Sequence, residues 1–133
     1  MGKFLLLLAL FISKIAFSQV SDNFNDGDFT QNPVWQADVF TNFIVNSGQL
    51  QSNSTTASSN FYISTPNTKA SNCTWEFEIN LKFATSGSNY VDVYLISNTA
   101  NLKSTSINGY FVRMGDTPDE ISLYKRSGAA STS

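Results

Sequence analysis

The chain contains no histidine and a single cysteine, Cys73, among its 133 residues. The absence of histidine excludes Ser–His and Cys–His nucleophile arrangements, and it also excludes histidine-based zinc sites. A single cysteine cannot form a disulfide within the chain. Because free cysteine is among the most buried residue types, we predict that Cys73 is a small buried hydrophobic residue at the start of a strand.

Charged residues are also scarce, at 14% of the chain, and the net charge is −2. No run of lysine or arginine occurs, whereas a nucleic-acid partner requires a concentrated basic surface, so this class of partner is excluded. Aromatic residues make up 14% of the chain, mostly as phenylalanine. Asparagine, serine and threonine fill the polar positions, and this composition is typical of β-strands joined by polar turns.

The N-terminal residues have the pattern of a secretory signal peptide. Lys3 supplies a basic start, an apolar run covers residues 4–12, and residues 16–18 (Ala-Phe-Ser) form a small-x-small cleavage site. The apolar run is shorter than the roughly 20 residues that a membrane-spanning helix needs, although a retained anchor is the alternative. We predict a cleaved, helical signal peptide over residues 1–18. The mature chain, residues 19–133, is then secreted or exposed at the cell surface, without membrane contact.

From Val20 onward the hydrophobic pattern has a period of two, and turn signals recur about every ten residues. No segment beyond the signal peptide has the period of a helix. Short strands at this spacing predict an all-β protein in which two antiparallel sheets pack face to face. The predicted strands cover residues 43–46, 49–52, 60–65, 73–83, 89–97, 109–115 and 120–126.

The most regular alternation lies in residues 74–83, Thr-Trp-Glu-Phe-Glu-Ile-Asn-Leu-Lys-Phe. In a strand, the odd-numbered apolar residues face the core, and Glu76 and Glu78 share the outer face with their Cβ atoms roughly 7 Å apart. That separation is permissible for the carboxylate pair of a glycosidase. A solvent-exposed sheet face is the preferred interpretation, and a catalytic pair is the alternative.

A sandwich with carboxylates on one strand resembles the concanavalin A-like lectin/glucanase superfamily, whose glucanases carry Glu-x-Asp-x-Glu or Glu-x-Asp-x-x-Glu. Glu76 matches the first position of that motif, and Glu78 stands where the family has aspartate. Asn80 and Leu81 occupy the two positions of the third carboxylate, so no residue on this strand fills the acid/base role. A fragment of a divergent glycoside hydrolase therefore remains only the alternative to a non-catalytic module.

Three segments in order, DNFNDGDFTQNPVW, NGYFVRMG and DEISLYKR, resemble a module in the N-terminal part of secreted surface proteins of Bacteroidetes-type bacteria. The resemblance covers residues 21–126 and implies a jelly-roll sandwich followed by further domains of the same polypeptide. The family module is longer than this chain, and residues 127–133 have no strand pattern. We therefore expect residues 19–133 to be the N-terminal part of an incomplete domain with an unpaired edge and an uncovered apolar face.

One sheet face is a candidate ligand site. If the last three predicted strands are neighbours, the register decides whether Phe111 and Arg113 or Tyr110 and Val112 join this side. In the first register, one face carries Asp92, Tyr94, Arg113 and Tyr124. Aromatic rings flanked by polar groups bind sugars, so the pattern predicts a site for a polysaccharide or surface glycan. For these residues, a solvated face with the tyrosine rings covered and their hydroxyls in water is the preferred interpretation, and the glycan site is the alternative. The predicted function is glycan binding or adhesion, with a purely structural spacer in a larger adhesin as another alternative.

Acidic residues also cluster before Phe29, at Asp22, Asp26 and Asp28. Calcium takes 6–8 oxygen ligands, and members of the resembled superfamily often carry a structural calcium. The full calcium-loop pattern is missing, so a plain turn is the preferred interpretation and a calcium site the alternative. The sequence indicates no other cofactor.

Overall fold

The computed structural model describes residues 19–133, and the predicted signal peptide, residues 1–18, lies outside the described residues. The all-β prediction is confirmed, because the described residues form strands, turns and one 3₁₀ turn at Phe40–Asn42 but no α-helix. Within the same residues, no helix is long and apolar enough to cross a membrane. The several antiparallel sheets are consistent with a β-sandwich.

Eight strands form three antiparallel sheets in the described chain. Two sheets have two strands each and pair β1 with β4 and β2 with β3, whereas the third has four strands in the order β5-β6-β7-β8. The strands are β1 Gln36–Ala37, β2 Phe43–Asn46, β3 Gln49–Ser52, β4 Ile63–Ser64, β5 Tyr90–Ser97, β6 Asn108–Gly115, β7 Glu120–Ser127 and β8 Ala130–Thr132.

The predicted hairpin between β2 and β3 is confirmed. Ser47 and Gly48 connect the strands with φ angles of 52° and 71°. Two consecutive positive φ values are what a tight two-residue hairpin turn requires. Phe43 of β2 packs edge-on against Phe61, with ring centroids 5.2 Å apart, and also contacts the ring of Phe29. This aromatic cluster packs the β2–β3 hairpin against Phe29 and Phe61, two residues that belong to no strand.

The four-stranded sheet carries two distinct faces, set by a regular register from Asn108↔Ser127 to Gly115↔Glu120 between β6 and β7. Alternation along the strands assigns each residue to a face. The aromatic face consists of Tyr90, Asp92, Tyr94, Phe111, Arg113 and Tyr124, and the aliphatic face of Val91, Val93, Val112, Met114, Ile121 and Leu123.

The two faces differ in how well they are covered. Phe111 on the aromatic face is fully buried, and Met114 on the aliphatic face is 8% exposed. By contrast, Ile121 and Leu123 on the aliphatic face are 76% and 58% exposed. The aliphatic face is therefore partly uncovered in the described chain. The prediction that residues 127–133 lack a strand is wrong, because β8 pairs with β7.

The predicted strand over residues 74–83 is also wrong. These residues, which we call the strap, belong to no strand and make no backbone–backbone hydrogen bond within the described chain. The residues assigned to a core by alternation are largely exposed, at 40% for Trp75, 44% for Phe77, 43% for Ile79 and 44% for Phe83. Alternation defines a face that is suitable for burial, but a strand forms only when a neighbour satisfies its backbone.

Cys73 precedes the strap and is half-buried, but it does not begin a strand. Its Sγ lies 3.7 Å from the carbonyl oxygen of Lys69, so the thiol makes a weak local contact. The predicted placement of Cys73 at a strand start is therefore wrong, because the strand itself is not formed.

Candidate functional site

The register of the four-stranded sheet brings the four predicted ligand-binding residues together. Asp92 on β5 lies directly opposite Arg113 on β6, and Tyr94 lies opposite Phe111. Phe111 in turn lies opposite Tyr124 on β7. All four predicted residues, with Phe111 between them, therefore occupy one continuous area of the aromatic face.

A stacked row of three rings crosses β5, β6 and β7. The Tyr94 and Phe111 centroids are 4.9 Å apart with 28° between the ring planes, and the Phe111 and Tyr124 centroids are 5.2 Å apart at 7°. These separations match the spacing of about 4.7–4.9 Å between neighbouring strands. Nearly parallel rings this close must stack face to face with an offset, because coplanar rings need a larger separation.

The row determines which parts of the rings are available to a ligand. Phe111 is fully buried between the two tyrosines, so its faces are occupied. The tyrosines therefore present their outer ring faces and their hydroxyl groups. Within residues 19–133, neither the Tyr94 nor the Tyr124 hydroxyl has a hydrogen-bond partner. A ligand approaching this face therefore meets the Tyr94 hydroxyl at one end of the row and the Tyr124 hydroxyl at the other.

Arg113 holds an ionic cluster next to the ring row. Its Nε and Nη2 donate to the two carboxylate oxygens of Asp92 at 2.7 and 2.8 Å, and its Nη1 donates to Asp116 Oδ2 at 2.9 Å. The guanidinium carbon also lies 3.7 Å from the centre of the Tyr90 ring, within cation–π range. The bidentate ion pair with Asp92 fixes the orientation of the Arg113 guanidinium plane.

The protonation states of the site follow from these contacts. The backbone N–H of Thr117 and then the Arg113 guanidinium hold the pKa of Asp116 below its ordinary value. The hydrogen bonds that Arg113 donates to Asp92 raise the pKa of Arg113, and burial raises the pKa of Tyr94. At neutral pH the site therefore contains a charged arginine, an ionised Asp116 and a neutral Tyr94 phenol.

A small groove opens at the end of the ionic cluster, between Arg113 and the turn that joins β6 to β7. Its lining is polar and includes Asp116, Glu120, Ser122 and Tyr124. Ser122 Oγ donates to Glu120 Oε1 at 2.7 Å. Arg113 contributes one positive charge, whereas Asp92, Asp116 and Glu120 together contribute three negative charges. The net formal charge of these four side chains is therefore negative.

Sequence reasoning did not identify Asp116 and Glu120 as part of this site. Both residues belong to the region around the β6–β7 turn, where Asp116 has a φ of 68°. Aspartate tolerates this left-handed conformation and is common in turns for that reason. In the sequence, Asp116 is explained as an ordinary turn residue. Only the folded turn shows that its carboxylate reaches back to Arg113, three residues earlier.

The structure does not bring the three calcium candidates together. Asp22 accepts hydrogen bonds from the Phe24 backbone and from Trp35 Nε1, both at 2.8 Å. Asp26 and Asp28 each accept a backbone hydrogen bond from the residue two positions ahead, as in an Asx turn. No group of three acidic, histidine or cysteine side chains that could hold a metal ion occurs in residues 19–133. The plain-turn interpretation fits these contacts.

Glu76 and Glu78 lie in the exposed strap. Neither carboxylate has a hydrogen-bond partner in the described chain, and neither lines the groove beside Arg113. Their placement gives no enclosed site in which two carboxyl groups could flank a glycosidic bond.

Comparison with known proteins does not identify a relative of this chain. No family model matches the chain, and searches of curated proteins and of solved structures find no match. The features of this chain that bear on its function are therefore the aromatic face and the ion pairs of Arg113.

Proposed function

We propose that this chain is a secreted or cell-surface, non-catalytic module of jelly-roll type that binds a neutral polysaccharide or surface glycan through its aromatic face. The observation that carries the proposal is the row of Tyr94, Phe111 and Tyr124 next to the Arg113 ion pairs. Rigid aromatic area beside oriented polar groups is the usual composition of a small-molecule site. Adhesion to a glycan-coated surface is the role that we assign to the module.

The hydrogen-bonding groups of the face suit a ligand rich in hydroxyls. Arginine has five N–H donors, of which Arg113 uses three in its ion pairs, so two remain for a ligand. The carboxylates of Asp92 and Asp116 retain acceptor capacity, because each oxygen has more than one lone pair. The free hydroxyls of Tyr94 and Tyr124 both donate and accept. Sugar hydroxyls pair with both kinds of group.

The charge balance favours a neutral glycan over a sulfated or uronic one. A single arginine beside Asp92, Asp116 and Glu120 leaves the groove negative, so an anionic ligand would be repelled. Arg126 lies on the same face of β7 as Tyr124, where its charge acts on the Tyr94 hydroxyl, and its Nε donates to the carbonyl oxygen of Gly128 at 2.7 Å in the β7–β8 turn.

A glycan array tests this proposal, with the mature chain and two matched variants, followed by calorimetry on each glycan that binds. Tyr124→Ala removes one end of the ring row and should weaken binding by about tenfold or more, since a buried stacking contact contributes on the order of 1 kcal/mol beyond its area. Tyr110→Ala removes an exposed tyrosine from the opposite face and should leave the affinity unchanged. Thermal melts verify that both variants are folded.

The remaining outcomes separate the other candidate functions. Equal losses of glycan affinity in Tyr124→Ala and Tyr110→Ala would overturn the proposed site. Preferential binding of sulfated glycans would overturn it as well. Release of shorter sugars from a bound glycan would indicate the hydrolase fragment. Failure to bind any glycan would indicate the structural spacer.

Export is tested independently of the ligand. We expect the protein recovered outside the cell to begin at Gln19, as the cleavage site after Ser18 requires. Sequencing of the N-terminus identifies the first residue. Recovery of an intact residue 1–18 segment in the membrane fraction would instead indicate a retained anchor.

A further inference from the structure

The outer edge of β7 is only partly paired in the described chain. Strand β8 is three residues long and pairs with β7 at residues 125–127. Residues 120–124, which we call the open edge, have β6 on one side and no strand among the described residues on the other. The open edge contains neither proline nor lysine, which proteins use to protect such edges, and Glu120 is its only charged residue. It therefore offers backbone donors and acceptors to another strand.

The free backbone groups of the open edge belong to Ile121 and Leu123. The Gly128 N–H donates to the carbonyl oxygen of Ile107 at 2.7 Å, and the pairing of β6 with β7 continues in the same register from that bond. Hydrogen-bonded pairs alternate along an antiparallel ladder, so the backbone groups of the even-numbered residues of β7 point at β6. Those of Ile121 and Leu123 point outward, where no backbone hydrogen bond reaches them within residues 19–133.

The apolar side chains of the open edge are exposed at the same two residues. Ile121 is 76% exposed and Leu123 is 58% exposed. Ile79 and Leu81 of the strap line a groove with Met114 and Ile121 at the β6–β7 end of the sheet, but they leave most of Ile121 in solvent. Free backbone groups and exposed apolar area at the same residues point to a partner strand.

The other edge strand of the sheet, β5, is a weaker candidate for such a contact. Its aliphatic residues Val91 and Val93 are already half-buried. Because the free energy gained by association follows the apolar area removed from water, a strand added beside β7 gains more than one added beside β5.

A second copy of the open edge fits the first in one antiparallel register. Residues directly opposite each other in an antiparallel pair share a face, and a shift of one residue moves every side chain to the other face. With Ser122 opposite Ser122 of the second copy, Ile121 lies opposite Leu123. Their apolar side chains then meet, and the outward backbone groups of both residues are paired.

The charges around the open edge match in the same register. Asp119 and Glu120 stand at its start, and Lys125 and Arg126 follow its end. When two copies run antiparallel, Asp119 lies opposite Lys125 of the second copy, and Glu120 lies diagonally across from Arg126 of the second copy. Opposite charges at these positions attract each other, whereas a parallel pairing would place like charges together. A shift of two residues would keep the faces but lose this match. The segment is therefore complementary to itself.

We propose that two copies of this chain pair through the open edge of β7, antiparallel and about a two-fold axis at Ser122. The pairing joins the two four-stranded sheets into one continuous sheet and packs Ile121 of each copy against Leu123 of the other. Such a contact uses the same surface on both copies, as in most symmetric dimers. Because the axis is perpendicular to the sheet, both aromatic faces lie on the same side. The inference does not depend on the identity of any ligand.

Sedimentation equilibrium of the mature chain tests the pairing. The interface is short, so we expect a monomer–dimer equilibrium that shifts with protein concentration. Leu123→Lys places a charge on the open edge and should weaken the dimer by about tenfold or more. The matched control, Tyr110→Lys, places the same charge at an exposed residue on the same side of the sheet, away from the edge, and should leave the dimer unchanged. Thermal melts verify that both variants are folded.

A cysteine substitution at the axis tests the register. In a Cys73→Ser background, Ser122→Cys places two thiols opposite each other, in a pair whose Cα atoms are about 4.5 Å apart and can be bridged by a disulfide. The matched control, Lys125→Cys, carries an exposed thiol on the same strand, but three residues from the axis, so the two copies of this thiol are roughly 20 Å apart. In a glutathione redox buffer, we expect a disulfide-linked dimer of the first protein and a reduced control.

Four results would overturn the proposal. A monomer at every concentration would mean that a second copy does not occupy the open edge. A dimer that is unchanged in Leu123→Lys would place the contact elsewhere, such as the β5 edge. Equal weakening by Leu123→Lys and Tyr110→Lys would mean that two sheets stack face to face. Equal cross-linking through Ser122→Cys and Lys125→Cys would mean that the β7 edges do not meet in the proposed register.

Discussion

Two stretches of this chain have a composition suited to a β-strand, but only one of them is hydrogen-bonded into a sheet. Strand β6 has a partner on both sides, β5 and β7, and a residue near its centre, Phe111, is fully buried. The strap has the most regular alternation of polar and apolar residues in the chain but no paired neighbour among the described residues. The comparison shows that alternation specifies which side chains share a face, whereas pairing decides which faces are buried.

The largest expected difference between the two regions is the effect of removing a phenylalanine ring. Phe111→Ala deletes a fully buried ring that stacks on two tyrosines, so it should destabilise the protein by about 3–5 kcal/mol. Phe77→Ala makes the same change in the strap, where the ring is 44% exposed, and should cost under about 1 kcal/mol. Urea unfolding measures both values. Similar costs for the two variants would mean that the strap is as well packed as the sheet.

A smaller difference is expected for the charged residues. Arg113→Met leaves the half-buried carboxylate of Asp92 without its two-pronged partner and should cost about 1–3 kcal/mol of unfolding free energy. Lys82→Met changes an exposed lysine of the strap and should stay within about 0.5 kcal/mol. The additional variant Asp92→Asn distinguishes an unpaired charge from a general loss of packing. If it restores the stability of the Arg113→Met protein, the unpaired carboxylate accounts for the cost.

The smallest effect concerns pH. The pKa of Asp116 is lower in the folded protein than its ordinary value of 3.8, so its contribution to stability is present above about pH 4. That contribution is lost as the pH falls through the folded-state pKa. Asp116→Asn should therefore be less stable than the wild type at pH 6, and the difference should shrink toward pH 2. Asparagine also tolerates the left-handed backbone at this position, which isolates the effect of the charge.

Asp119→Asn is the matched control for the pH experiment. Asp119 also has a positive φ, 56°, in the same turn, but its carboxylate accepts no hydrogen bond in the described chain. Because Asp119 forms no ion pair with Arg113, its substitution should leave the free energy of unfolding at pH 6 within about 0.5 kcal/mol of the wild-type value. A pH-independent difference between wild type and Asp116→Asn would contradict the assigned role of the Asp116 charge.

Several features of this fold follow from local sequence alone. The β2–β3 hairpin is encoded by alternation on both sides of Ser47-Gly48, whose turn chemistry needs no distant contact. Alternation offered a common face for Asp92, Tyr94, Arg113 and Tyr124 in one of two registers, and the pairing of Asp92 with Arg113 and of Phe111 with Tyr124 selects that register. In the region from Asp22 to Asp28, an acidic composition alone does not predict a calcium site. The carboxylates that a calcium ion would need accept short-range backbone hydrogen bonds instead.

Other features depend on pairing that local sequence does not specify. Strand β8 consists of Ala130, Ser131 and Thr132, which carry no hydrophobic signal, and it forms because the turn at Gly128 brings it beside β7. The burial of Phe111 depends on rings from two other strands. The strap has the strongest local signal in the chain, but without a paired neighbour that signal does not produce a strand.

The central claim is that the aromatic face binds a neutral glycan, and an NMR titration tests it most directly. Neutral hexasaccharides of glucose, mannose and xylose are added in turn to the ¹⁵N-labelled mature chain, with a sulfated sugar as the comparison. The account predicts that a neutral sugar shifts the signals of Tyr94, Tyr124 and the Arg113 Nε–H group, while Ile121 and Leu123 on the opposite face stay unchanged. Shifts confined to the aliphatic face, or a response to the sulfated sugar alone, would contradict it.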